Sequence, residues 1–193
     1  MIEYLKGEIV ELAPARMVIE CAGVGYELHI SLHTYGVYRG KTSGKVLVEE
    51  IIREDAHLLY GFASANEREL FLMLTTVSGV GANTARMILS SYPPAELVQI
   101  IGSSNERALT AVKGIGLKTA QRILVDLKNK VKPVEAAAAT SNAGSERVAE
   151  EAASALVMLG FQKAASQKAV AAILKGSPEL PVEGVIKTAL KML

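Results

Sequence analysis

Val77-Ser78-Gly79-Val80-Gly81-Ala82-Asn83-Thr84-Ala85 returns thirty-five residues later as Val112-Lys113-Gly114-Ile115-Gly116-Leu117-Lys118-Thr119-Ala120. The two copies match at Gly, Gly, Thr and Ala, and beyond them at Ile and Leu. In each, two glycines bracket one aliphatic residue, so the backbone can turn through conformations a Cβ would resist while the aliphatic side chain plugs a core. Leu70–Leu74 and Ala108–Val112 read as the helix entering each turn. Ala85, Ile88 and Leu89, or Ala120, Ile123, Leu124 and Leu127, form the apolar stripe of the helix leaving it. The reading is a helix-hairpin-helix unit, twice. Such a hairpin leaves unpaired N–H groups at the start of a helix whose dipole favours negative charge, so a phosphate can dock there without regard to base sequence. Glycine-rich turns between helices are common; repetition with a polar or basic residue at one offset, Asn83 and Lys118, is what points to DNA. Lys118-Thr119 ends like a P-loop, but Leu117 stands where that loop needs glycine and no strand leads into Gly114, which excludes a nucleotide site.

Upstream, residues 2–12, 16–22, 24–31, 45–54 and 56–62 alternate with period two and are punctuated by glycine and proline, with Leu32–Tyr38 as a short helical turn among them. Five short strands in so small a module close best as an OB-like barrel, because closure removes the edges. From Asn66 to Lys130 the period is helical. Residues 132–144 carry Pro133, small residues and no apolar face, the pattern of a flexible linker. Ser145–Leu159, Gln162–Leu174 and Pro181–Leu193 are short amphipathic segments broken by Gly160 and Gly176-Ser177-Pro178, a small helical bundle suited to docking protein. The expected fold class is therefore α+β multidomain: an N-terminal five-stranded OB-fold barrel over 1–63, an all-α tandem helix-hairpin-helix domain over 64–131, a flexible linker over 132–144 and a three-helix domain over 145–193.

The net charge of +1 conceals a split. Residues 1–62 carry six Lys/Arg against nine Asp/Glu, residues 63–131 eight against five, and residues 132–193 seven against six. The repeat segment is the basic one, as phosphate binding prefers. An excess this modest requires several subunits to act together for tight binding. No stretch approaches the ~20 apolar residues of a membrane span and the start lacks a signal-peptide pattern, so a cytoplasmic location is expected. The single cysteine, Cys21, reads as a buried thiol. His29 and His33 have the spacing of a metal pair, but no second pair completes a site, so neither a metal nor a cofactor is expected.

Arg53-Glu54-Asp55-Ala56-His57-Leu58-Leu59-Tyr60-Gly61-Phe62 followed by the two hairpins and a tethered helical tail resembles the RuvA family, Holliday-junction-binding subunits of the bacterial branch-migration complex. The opening Met1–Gly7 and Gly23-Val24-Gly25-Tyr26-Glu27 fit it too. The resemblance implies a homotetramer, with octamer left open, whose concave face holds a four-way DNA junction opened into a square for recombination and repair. It implies no ATPase in this chain, which would be a non-catalytic subunit. A ring-shaped motor, RuvB, would dock on residues 145–193 and RuvC would cut the junction. DNA-contacting positions follow as Gly79, Val80, Gly81, Asn83, Thr84 and Arg86 in the first hairpin. In the second they are Gly114, Ile115, Gly116, Lys118, Thr119 and Arg122, with Lys113 nearby. Asn83 departs from the lysine many relatives carry, so the first hairpin is expected to lose a charge and to rely on backbone N–H groups and on Arg86, although an ordinary helix surface explains Arg86 and Arg122 equally well. Glu54 and Asp55 match the family's acidic pin, with Arg53 beside them. Two carboxylates from each of four subunits would set about eight negative charges at the crossover, steering strands apart. Two other readings stand against this one. A duplex-binding adaptor would show no preference for four-way DNA. A DNA glycosylase would want a catalytic aspartate in a loop beyond the hairpin, whereas Asp126 falls inside a helical stretch.

Overall fold

Alternation along the strands dictates the barrel: Met17 and Ile19 turn inward and are fully buried while Glu20 is exposed, and Leu28/Ile30 and Val46/Val48 repeat the pattern. The strands β1 (Tyr4–Ala13), β2 (Arg16–Cys21), β3 (Val24–Ile30), β4 (Ser43–Ile52) and β5 (His57–Phe62) close in the order β1-β2-β3-β5-β4, with β4 returning to β1. The OB-type barrel is present as expected. All these pairs are antiparallel except β3 with β5. β1 serves two partners, β4 through residues 4–8 and β2 through residues 8–13. Gly7 lies where it passes from one to the other, and a Cβ there would stand 1.8 Å from the Glu20 carbonyl oxygen. Cys21 is half-buried, not buried, because the Ala22-Gly23 turn leaves its strand end open; its Sγ lies 3.3 Å from the Lys6 carbonyl oxygen.

The computed structural model describes residues 1–131, 143–190 and 192. After α1 (Leu32–Tyr38) within the barrel come α2 (Ala65–Thr75), α3 (Ala82–Ser91), α4 (Pro94–Gly102), α5 (Glu106–Thr110) and α6 (Leu117–Leu127). Their core does not stop at the barrel. Tyr60 and Phe62 of β5 pack on Phe71 of α2 with ring centroids 5.0 and 4.9 Å away, and the same cluster runs on through Leu74, Val77, Val80, Ile88 and Ile123. A fully buried carboxylate reinforces the junction: Glu67 of α2 accepts from the Ser31 hydroxyl, the Thr34 hydroxyl at 2.6 Å and the Ala63 N–H at 3.0 Å. Ser64 caps the same helix by accepting from the Glu67 N–H. A buried carboxyl group with so complete a set of partners joins the N-termini of α1 and α2, whereas stripping those partners would leave its oxygens unsatisfied. Barrel and hairpin helices thus belong to one unit, Met1–Val134.

The second unit is Glu135–Leu193. Its helices α7 (Ala143–Met158), α8 (Lys163–Gly176) and α9 (Val182–Ala189) bury Leu156, Val170, Ile173 and Val185 against one another, the three-helix arrangement expected. The expected linker lies outside the described residues except for Ala143 and Gly144, which open α7.

Candidate nucleic-acid interface

The two repeats share one turn geometry. Gly79 has φ +91° and Gly114 φ +89°, the region only glycine enters freely. Val80 donates to the Val77 carbonyl at 3.0 Å and Ile115 to the Val112 carbonyl at 3.1 Å, so each hairpin is closed by the same bond. The bracketed aliphatics are plugs, with Val80 4% and Ile115 5% exposed. Their part in any contact is confined to the backbone. Gly81 and Gly116 then act as N-caps of α3 and α6, with φ/ψ of −84°/171° and −82°/167°, and no side chain caps either helix. The N–H groups of the first turn are therefore left for a ligand.

The second glycine of each pair carries a further message. Its backbone is ordinary extended chain, and a Cβ at Gly81 or Gly116 would meet nothing within 4 Å. The fold does not require glycine at either place, yet the chain has it twice. An incoming group that must approach the backbone closely does require it.

The hairpins lie side by side. Arg122 of α6 donates to the Ser78 hydroxyl at 3.5 Å, and a Cβ on Gly79 would sit 3.9 Å from Thr119 Oγ1. Lys118 and Lys113 are exposed and make no ion pair among the described residues. Arg86 is placed differently. Its guanidinium donates through Nη1 to the Ala15 carbonyl at 3.0 Å and through Nη2 to Asn83 Oδ1 at 2.8 Å. Arg86 is expected beside the hairpin, but its partner Ala15, a residue of φ +69° in the β1–β2 turn, carries no signal in the sequence.

The third element is the β4–β5 turn, held by the Arg53 N–H donating to the Ala56 carbonyl at 2.8 Å. Arg53, Glu54 and Asp55 are all exposed, and among the described residues no ion pair joins Arg53 to either acid. At its base Glu50 accepts from the Ile2 N–H and lies 3.0 Å from His57 Nε2. Those two hydrogen bonds, the backbone one first, hold its carboxyl below the ordinary carboxylate range. The turn thus presents two unneutralised carboxylates from a braced root. Of the histidines, His29 lies in β3 against the Tyr60 ring and His33 lies in α1, so the apparent pair falls on different elements.

Three family models cover the chain in order: the RuvA N terminal domain over residues 1–61, a SAM-like helix-hairpin-helix tandem over 71–129 and the RuvA C-terminal domain over 147–193. A relative from Parabacteroides distasonis is 72% identical over the whole of both chains. The chain belongs to the RuvA family. Relatives from Bacteroides fragilis and Porphyromonas gingivalis are 58% and 54% identical, again over 100% of each chain, and like the first are named Holliday junction branch migration complex subunit RuvA. The uncapped hairpins fall within the tandem match and the acidic turn within the RuvA N-terminal match.

Proposed function

We propose that this RuvA-family chain binds four-way DNA junctions as a homotetramer, holds them open and square, and recruits and stimulates a RuvB-type ATPase motor for branch migration in recombination and repair. The observation that carries this reading is the duplicated, uncapped Gly-x-Gly hairpin whose second glycine the fold itself does not need. Each subunit grips phosphate through the backbone of Gly79–Gly81 and Gly114–Gly116, through Thr84 and Thr119 at matching offsets, and through Lys118 with Arg122 beside it. The acidic turn contributes repulsion: Glu54 and Asp55, gathered from four subunits, exclude phosphate from the crossover and push strands into the arms. The chain supplies no chemistry of its own, and motor action comes from the partner. The tail is the docking module, and the end of α7 offers it an exposed apolar run, Val157, Met158 and Leu159. RuvC-type cleavage would follow on the opened junction.

Competition separates this from a duplex-binding adaptor. A labelled four-way junction challenged with excess linear duplex of equal arm sequence should stay bound, because several grips act at one site. Equal displacement by duplex and by unlabelled junction would sink the junction reading and leave the adaptor.

A further inference from the structure

The two hairpins carry different side chains at corresponding places. Asn83 corresponds to Lys118 and Arg86 to Gln121, at the thirty-five-residue offset of the repeat. At these two places each copy has one cation and one neutral amide, in opposite order. In the second copy the cation is exposed and the amide is tied back, with Gln121 donating to Glu106 at 2.9 Å. In the first the cation is tied back, and it holds the amide. Arg86 is half-buried, forked between the Ala15 carbonyl at 3.0 Å and Asn83 Oδ1 at 2.8 Å.

An amide that accepts through its oxygen directs its NH2 group away from that donor, and turning it over would set NH2 against guanidinium, donor against donor. Asn83 is exposed and is the second residue of α3, whose first N–H groups have no capping side chain. We propose that Asn83 Nδ2 is a phosphate donor of the first hairpin and that Arg86 is its positioning residue, fixed in turn by Ala15 of the barrel. This rests on the DNA-binding reading above and deepens it. The first hairpin grips with a neutral amide and backbone N–H groups where the second adds an ammonium. Because the amide's oxygen is already satisfied by a held guanidinium, its orientation is set before DNA arrives and little freedom is lost on binding.

A neutral donor releases no counterion, so the two hairpins answer salt differently. Junction affinity of the full chain, measured across salt with a synthetic four-way junction, reads this directly. Lys118→Gln should lower the slope of log K against log salt by roughly 0.9 for each phosphate it neutralised. Asn83→Asp keeps the acceptor for Arg86 and suits a helix N-terminus, so thermal stability should hold or rise, but it removes the donor and repels phosphate. Its junction affinity should fall about tenfold or more, the size expected when a hydrogen bond to a charged group is lost. Arg86→Lys keeps the charge and loses the fork. It should weaken binding with the slope unchanged, and its effect should largely vanish in an Asn83→Ala background, because it acts through that amide.

Three results overturn the proposal. Arg86→Gln lowering the salt slope by about 0.9, additively with Asn83→Ala, would make Arg86 itself the phosphate ligand. Asn83→Asp folding and binding like the parent, while Lys118→Gln lowers the slope, would remove Asn83 from the interface and leave the DNA-binding reading standing. Insensitivity of junction affinity to Lys118→Gln and to all the first-hairpin variants would remove both readings together.

Discussion

Hydrogen bonds tie the first hairpin to the barrel, and among the described residues none does so for the second. α3 reaches the barrel through Arg86 to the Ala15 carbonyl and through Ser90, whose hydroxyl accepts from the Leu32 N–H at 3.1 Å. α6 is held by helical neighbours, Gln121 to Glu106 and Arg122 to Ser78. Their turns nevertheless match to within 2° at the positive-φ glycine, +91° against +89°. Turn geometry is therefore local, set by two glycines and a buried plug, while the side chains at the rim answer to whatever each helix leans on. A duplicated motif can keep one backbone function and divide the side-chain duties.

The largest expected effect tests that locality. Gly79→Val or Gly114→Val puts a β-branched residue at φ near +90°, at a cost on the order of 1–3 kcal/mol or more per hairpin. A Cβ at Gly114 meets nothing within 4 Å, so the penalty is conformational and not steric. Junction affinity should drop by more than tenfold for either variant, with far-UV circular dichroism still helical; loss from only one of them would show that the hairpins do not share the load. Gly81→Ala and Gly116→Ala refine the point. Their backbones accept alanine, so stability should move by no more than about 1 kcal/mol in denaturant titration. Binding should still weaken several-fold in junction titrations, as a methyl group enters the phosphate's path; unchanged affinity would mean no ligand approaches there.

A smaller and opposite effect belongs to the acidic turn, which grips nothing. Replacing Glu54 and Asp55 by Gln and Asn should leave junction affinity unchanged or raised and should erode discrimination against duplex, most visibly at low salt. Comparing the two dissociation constants checks it, and a fall in junction affinity would make the turn attractive or structural. The smallest effect concerns the barrel side of the first hairpin. Burial first, and then the Arg86 charge, hold His29 below its ordinary protonation range. The unfolded chain therefore binds more protons than the folded one as pH falls through about 6.5, so stability present above that pH is progressively lost below it. Melting temperatures between pH 7.5 and 5.5 should fall for the parent and fall less for His29→Gln, while variants of Gln121 on the second hairpin leave that slope alone.

Much of this was legible in the residues. Short apolar, β-branched runs bounded by glycine and proline, such as Met17-Val18-Ile19 and Val46-Leu47-Val48, foretold strands, and the Gly-x-Gly spacing foretold two hairpins of one shape, because both patterns act over a few bonds. The boundary expected at residue 63 follows from a change of period, but period says nothing about where a core ends. Tyr60 and Phe62 complete the helical core from the barrel side, and Glu67 is buried only because Ser31 and Thr34 come to meet it.

The sequence by itself determined the elements, the doubled turn and the exposed acidic pair, since local sterics and side-chain periodicity decide these without distant partners. Only the tertiary structure decided that Arg86 faces inward to Ala15, 71 residues away, and thereby aims Asn83, and that Glu67 is satisfied by Ser31 across 36 residues. Such pairings depend on which surfaces the packed core brings together, and a polar residue in a sequence carries no mark of the partner that folding will bring to it.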